Sequence, residues 1–419
     1  MDTHRKTERL MQEQSEYLTL SDIELAGKSV LVRVDLNSPM DPRGVILDDM
    51  RFRSHLSTLR ELSECRVVLL AHQSRPGKRD FTTMEPHARL LSRLLGKRVV
   101  YVDDIFGSHA RSSIERMQDG DVLLLENVRF YSEETLKRSA EEHATTHMVR
   151  RLAPYFDVFV NDAFSVCHRP HLSVIGFTPL LPSVAGKVVE RELHYLGKGV
   201  QSDTPVLFVL GGAKAEDSLK VMENILGRNP KSRILTAGLV ANLLLHARGI
   251  DLGAPNVEVL RSTGLLEYAE QAAELLQQHG GRIELPVDFG VDRDGERENV
   301  RVEELPVPYL IKDIGIETMA TFSERIESAQ VVVMNGPAGV IEEEEYKVGT
   351  FELLKAATKA GCSLIGGGHI SAAVDDAGLR HRLTHVSTGG GAAIEFLSGE
   401  SLPGIEALKR AAQRHRKQR

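Results

Sequence analysis

The 419 residues contain no tryptophan and only three cysteines, Cys65, Cys167 and Cys362. The first absence excludes little. The second excludes a disulfide framework, because the three lie far apart with no CxxC or metal spacing and read as incidental thiols of a reducing compartment. Excess positive charge is also missing. A formal net charge of −7 argues against a nucleic-acid binder that works through a generally basic surface, although it leaves room for a local basic cleft. No apolar run approaches the length that spans a bilayer, so no membrane partner is expected. The amino-terminal stretch MDTHRKTERLMQEQSEYL has no apolar signal core, which points to the cytoplasm. Neither GxxxxGK[ST] nor GxGxxG occurs, which weakens P-loop and dinucleotide readings.

What is present is ordinary for a globular protein: 42% hydrophobic and 26% charged residues. The length exceeds what one core usually supports, so two domains are expected. From Gly27 a pattern repeats: a short β-branched run, a polar loop, an amphipathic stretch. The runs of the first half are Val30–Val34, Val67–Leu70, Val99–Val102, Val122–Leu125, Val158–Val160 and Val174–Phe177. Those of the second are Val206–Leu210, Ile234–Ala237, Ile283–Val287, Val331–Met334, Ser363–Ile365 and His385–Ser387. Nearly continuous apolar runs suit parallel strands covered on both faces. Their alternation with helices predicts an α/β chain of two Rossmann-like αβα domains, each with one mainly parallel sheet of about six strands.

The stretch Leu181–Gln201 separates the halves and reads as a hinge helix. Pro182 and Ser183 look like its start. Val189, Leu193, Leu196 and Val200 share one face, with Lys187, Glu190, Arg191 and Glu192 on others. The expected organisation is an extension over 1–17, a first domain over 18–181, the hinge over 182–201, a second domain over 202–400 and a tail over 401–419. The tail end Ala407–Arg419 is basic and helical in character, and reads as a solvated terminus.

In such folds ligands sit beyond the carboxyl ends of the strands. In the first half those ends carry cations. Asp35, Leu36 and Asn37 follow the first run, with Arg51 soon after. His72, Gln73, Ser74 and Arg75 follow the second, Arg129 the fourth, and Asp162, His168 and Arg169 the fifth. One such cation is an ordinary loop residue. Several on one rim repel each other unless an anion lies between them, and the arginine fork suits phosphate or carboxylate. A small polyanion, such as a phosphorylated acid, is expected there.

In the second half the ends carry glycine: Gly211-Gly212-Ala213-Lys214, Ala237-Gly238-Leu239, Asn335-Gly336-Pro337-Ala338-Gly339, Gly366-Gly367-Gly368-His369 and Thr388-Gly389-Gly390-Gly391. Glycine lets backbone amides approach an anion, and a helix start adds its dipole. One cluster is a tight turn; five on one sheet, with Lys214 beside the first, favour a nucleotide. Glu342 could accept hydrogen bonds from a ribose, or belong to a solvated acidic run, Glu342–Glu345.

These residues resemble phosphoglycerate kinase, in its archaeal branch, from about Tyr17 to Leu408. The motifs are VLVRVDLN, AHQSRP, LLLENVRF, VNDAF followed by HR, LPSVAG, LGGAK with Asp217, NGPAGV, IGGG and STGGGA. The resemblance implies 3-phosphoglycerate and 1,3-bisphosphoglycerate on the first domain, ATP or ADP with Mg²⁺ on the second, and a monomer. It places Asp35, Asn37, Arg51, His72, Arg75, Arg129 and Arg169 at the acid site. Lys198, Gly211, Glu342 and Gly366 to His369 fall at the nucleotide site. Lys214 matches the lysine on the phosphoryl group in flight, and Arg51 is assigned beside it as the second catalytic cation. Adjacent strand-end residues Leu36, Gln73 and Ser74 join the acid site. Gly212, Gly238, Asn335, Pro337, Gly389, Gly390 and Gly391 join the nucleotide site.

Three departures stand out. Ser74 replaces a glycine common in the family. Ser218 stands where many members carry a second lysine, and Lys220, two residues on, points elsewhere. His369 stands where many have an aspartate, and imidazole is a poor ligand for Mg²⁺, so no metal ligand is assigned. Two other readings stay open from the residues: a kinase for another small phosphorylated acid, and a catalytically silent binder of nucleotide or acid.

Overall fold

The computed structural model describes residues 16–200 and 204–418. The expected extension lies mostly outside them, as do Gln201 and Arg419. The chain forms two compact units. One ends at Leu193 and takes back the segment from Ser401 onward; the other is His194–Glu400.

The first unit is built on six parallel strands: β1 (Ser29–Arg33), β2 (Arg66–Leu70), β3 (Val99–Val102), β4 (Val122–Leu125), β5 (Val158–Asn161) and β6 (Ser183–Ala185). Their spatial order is β3-β4-β2-β1-β5-β6. Alternate residues serve opposite faces. Val30, Val32, Val67 and Leu69 enter one core, whereas Leu31, Val68, Leu70 and Phe159 enter another. With both faces covered, every position must be apolar, which is why the runs read as continuous.

Several expectations about this unit fail. Val174–Phe177 is not a strand. Leu172–Ile175 is one helical turn, buried throughout, whose Val174 and Ile175 sit in a small cluster with Ala163, Val166 and Ala407. A four-residue apolar run has no period that separates strand from buried helix. The sixth strand is instead Ser183–Ala185, so the following helix spans Lys187–Val200 and does not start at Pro182. Its first amides are met by side chains remote in sequence: Lys187 N–H by Thr58 Oγ1 at 2.9 Å and Val188 N–H by Asp162 Oδ1 at 2.8 Å. Val189 and Leu196 are buried as their spacing predicts, but Glu192 is buried too and Val200 is exposed. The segment after Leu402 is no solvated terminus. It forms the helix Pro403–Gln418, whose Ile405, Leu408, Ala411 and Ala412 are buried.

The second unit has its own six parallel strands: β7 (Val206–Leu210), β8 (Arg233–Thr236), β9 (Ile283–Glu284), β13 (Val331–Asn335), β14 (Ser363–Gly366) and β15 (His385–Val386). Their order is β15-β14-β13-β7-β8-β9. An unforeseen antiparallel sheet, ordered β11-β10-β12, joins β10 (Asp288–Arg293), β11 (Glu296–Arg301) and β12 (Leu310–Ile314). So this unit holds two sheets where one was expected.

Candidate functional site

The loops after β4, β2, β1 and β5 leave four neighbouring strands, so one edge of the first sheet gathers them. Asp35 is buried there. It is ion-paired with Arg51, which stands in the first turn of the helix Met50–Glu61. Ser165 Oγ donates to the same carboxylate, and the Asn37 amide donates at 3.0 Å. Burial alone would raise the Asp35 pKa. The Arg51 charge, the neighbouring His72 ring and the two donors outweigh it and hold the carboxyl below the usual carboxylate range. Behind the loop, His55 Nδ1 lies 2.6 Å from Asp162 Oδ2, and the Asp35 amide donates to His55 Nε2 at 3.0 Å.

His72 is buried. Arg33, inside β1, donates from Nη2 to His72 Nδ1 at 3.0 Å. Burial, then the Arg33 charge, pushes the imidazole well below its ordinary pKa, so the ring is neutral at pH 7. Arg33 was not foreseen as part of the site. It is fully buried, donates to Ser173 Oγ at 2.8 Å, and Ser173 in turn donates to the buried Glu134 at 2.7 Å. An arginine inside an apolar strand was the available signal.

Gln73 is fully buried and ties loops together. Its Nε2 donates to the Ser38 carbonyl at 3.0 Å, and its Oε1 lies 2.9 Å from His87 Nε2. Leu36 belongs to the core, which leaves only its backbone for a ligand. Ser74 adopts φ +56°, the left-handed region that explains the glycine of related sequences. Arg129, half-buried, donates to the Ser74 carbonyl. Burial, then repulsion from Arg33 and Arg169, lowers its pKa to about 10. Its Nε is buried with no hydrogen-bond partner among the described residues. Arg169 is exposed and its Nε donates to His168 Nε2 at 3.0 Å; Arg75 is exposed. Among these groups the cations outnumber their acidic partners, which is the electrostatics of an anion site.

In the second unit a cavity of about 230 Å³ opens among the strand ends. Of the expected residues it is lined by Gly212, Gly238, Pro337, Glu342 and His369. Three loops meet too closely for side chains. A Cβ on Gly211 would lie 2.3 Å from the Pro337 carbonyl oxygen, and one on Gly238 would lie 2.8 Å from the Gly212 nitrogen. Gly366 and Gly368 differ, since nothing lies within 4 Å of an added Cβ at either. The helices Gly238–Ala247 and Gly368–Asp376 begin at or beside wall residues Gly238 and His369, which brings their amide ends to the cavity.

Gly211, Lys214, Asn335, Gly366, Gly367, Gly389, Gly390 and Gly391 are not in the cavity wall. Lys214 is exposed just before the helix Ala215–Arg228. Ser218 is buried, and Lys220 pairs with Glu216 at 2.9 Å on the exposed face. Lys198 lies 5.1 Å from the centre of the Tyr195 ring, which stacks on His385 at 4.8 Å. The sequence reading missed the apolar wall, Leu239, Phe289 and Ile311, together with Asn242 and Lys312. Two of its sources, β10 and β12, are strands it did not see. Among the described residues no three His, Cys, Asp or Glu side chains gather as a metal cage. None of the described helices is long and apolar enough to cross a membrane.

A doubly wound sheet ending in cations, and another ending in a glycine-edged cavity, define a two-unit α/β protein with the features of a binder of small anionic molecules. The family model for phosphoglycerate kinase matches residues 20–400. The phosphoglycerate kinase of Methanosarcina mazei is 54% identical over 401 residues, 95% of this chain and 96% of that one. That of Archaeoglobus fulgidus is 49% identical over 391 residues, 93% and 96%. The crystal structure of phosphoglycerate kinase from Pyrococcus horikoshii superposes with a TM-score of 0.88 at 42% identity, covering 94% of this chain and 99% of that one. The chain belongs to the phosphoglycerate kinase family. It is a phosphotransferase of glycolysis and gluconeogenesis with a carboxyl acceptor: the γ-phosphoryl group of ATP passes reversibly to the carboxylate of 3-phosphoglycerate, giving 1,3-bisphosphoglycerate.

Proposed function

We propose that the cationic edge of the first sheet binds 3-phosphoglycerate and that the glycine-edged cavity binds the nucleotide. The single observation that carries the first half is the crowding of Arg51, Arg129, Arg169 and His72 at one sheet edge. Arg129 keeps a buried Nε there with no partner among the described residues, and its pKa is lowered by burial and then by its neighbours' charge. His72, Arg75, Arg129 and Arg169 take the distant phosphate, with Asp35, Asn37 and Ser74 fixing the loops. Gly212, Gly238, Pro337 and Glu342 take base and ribose. The amides at Gly366 to Gly368 and Gly389 to Gly391 take phosphates, with Lys198 and His369 nearby.

The acceptor carboxylate is ionised at pH 7, so its oxygen attacks the γ-phosphorus, the bond to the ADP oxygen breaks, and no general base is needed. Catalysis is then alignment and charge neutralisation. Arg51 and Lys214 supply that charge at the equatorial oxygens. Mg²⁺ enters as part of the nucleotide substrate, which suits an ion that keeps waters and phosphate oxygens as ligands. The helix Lys187–Val200 acts as the hinge, with domains at 18–181 and 202–400, and the enzyme works as a cytoplasmic monomer.

Calorimetric titration of Arg129→Ala tests the assignment. 3-Phosphoglycerate binding should weaken at least about tenfold, as expected for loss of a charged hydrogen-bond donor, with ADP binding unchanged. Unchanged 3-phosphoglycerate binding, or equal loss of both, would overturn it.

A further inference from the structure

Lys312 belongs to β12, a strand of the small antiparallel sheet, and lines the nucleotide cavity. Its Nζ lies 2.7 Å from Asp292 Oδ2 of β10, and 3.0 and 2.8 Å from the two carboxylate oxygens of Glu343. The same ammonium stands 5.0 Å from the centre of the Tyr346 ring. Its backbone carbonyl accepts the Val340 amide at 2.9 Å. One residue thus holds the loop at Val340 by its main chain and at Glu343 by its side chain. Glu342, the proposed ribose acceptor, lies between these two fixings. The next residue of β12 completes the clamp. Asp313 accepts from Arg297 at 2.8 Å and from the Gly349 amide at 2.8 Å, and a Cβ on Gly339 would lie 2.5 Å from its Oδ1.

Only 16% of the Lys312 side chain is exposed, against 45% of Glu343, and its ammonium is shared between two carboxylates. Such an arrangement is less screened than a surface pair. A ribose acceptor on a loop would otherwise need ordering when the nucleotide binds, and pre-ordering it removes that cost.

We infer that Lys312 is a positioning residue for the nucleotide: the ammonium bound by Asp292 and Glu343 fixes the Val340–Glu343 loop, so that Glu342 meets the ribose already in place. The inference rests on the proposed role of Glu342. Steady-state kinetics of the full chain, with ATP and 3-phosphoglycerate varied separately, tests it. Lys312→Met should raise KM for ATP roughly three- to tenfold, the scale of a loop-ordering cost. The kcat and KM for 3-phosphoglycerate should be unchanged, and Lys312→Arg should recover most of the loss.

A double-mutant cycle separates positioning from general destabilisation. In a Glu342→Ala background, Lys312→Met should have little further effect on KM for ATP. An equal effect in both backgrounds, or none in the wild type, would overturn the inference. If Glu342→Ala alone leaves KM for ATP unchanged, it is the ribose assignment that fails. An effect of Lys312→Met that then persists would show that Lys312 acts by another route.

Discussion

The Ser74 amide donates to Asn37 Oδ1 at 2.7 Å, which locks the loop after β2 to the loop after β1. Ser74 makes this contact at φ +56°, and its Oγ offsets the strain with a 2.6 Å hydrogen bond to Asp80. The left-handed conformation costs a non-glycine residue about 1–2 kcal/mol, and a hydrogen bond contributes about 1 kcal/mol. Ser74→Gly should therefore change stability by less than about 1 kcal/mol. Ser74→Val loses the bond and adds a branched Cβ, and should destabilise by roughly 2 kcal/mol or more. Urea unfolding of both variants checks the difference.

His87 is buried and neutral, its Nε2 2.9 Å from Gln73 Oε1, and burial lowers its pKa from 6.5 to about 4. Between those values the unfolded chain binds a proton that the folded chain does not. The sign follows: its contribution is complete above about pH 6.5 and is lost as pH falls toward 4, at up to about 1.4 kcal/mol per pH unit. His72 is shifted the same way, by burial first and then by Arg33. Unfolding free energies at pH 7 and pH 5 should differ by less in His87→Gln than in the wild type. An unchanged pH slope would contradict the assignment.

Gly211 and Gly366 are both strand-end glycines, but the structure separates their roles. A side chain at Gly211 would strike the Pro337 carbonyl oxygen at 2.3 Å, whereas nothing lies within 4 Å of one at Gly366. Gly211→Ala should lower the melting temperature. Gly366→Ala should leave it unchanged and raise KM for ATP, if phosphate occupies that open space. Thermal unfolding with ATP-dependent kinetics on both variants distinguishes a packing glycine from a ligand-approach glycine.

Much of this was legible in the sequence. The twelve apolar runs gave eleven of the strands in the two parallel sheets, because two-sided burial leaves a continuous signature. The exception, Val174–Phe177, was too short for its period to decide. The strand-end rule gathered Arg51, His72, Arg129 and Arg169, since the topology delivers neighbouring strands to one edge. It could not say that Gln73 and Leu36 turn inward, because that depends on Ser38, His87 and a core assembled from distant segments. The sheet of β10 to β12 went unseen, although Asp294-Gly295 between charged strands is a hairpin turn signal; both residues adopt positive φ. With that sheet went Phe289, Ile311 and Lys312, the side of the cavity that no glycine cluster marks. The burial of the carboxyl-terminal helix was hidden for another reason: its apolar residues are mostly alanines among arginines.

The most direct test is kcat of Arg51→Ala, with folding checked by circular dichroism. Arg51 reaches the site from a helix start, paired to Asp35, and is assigned to charge on the transferring phosphoryl group. Loss of such a donor should lower kcat roughly a hundred- to a thousand-fold. A folded variant that keeps more than about a tenth of wild-type kcat would contradict the account.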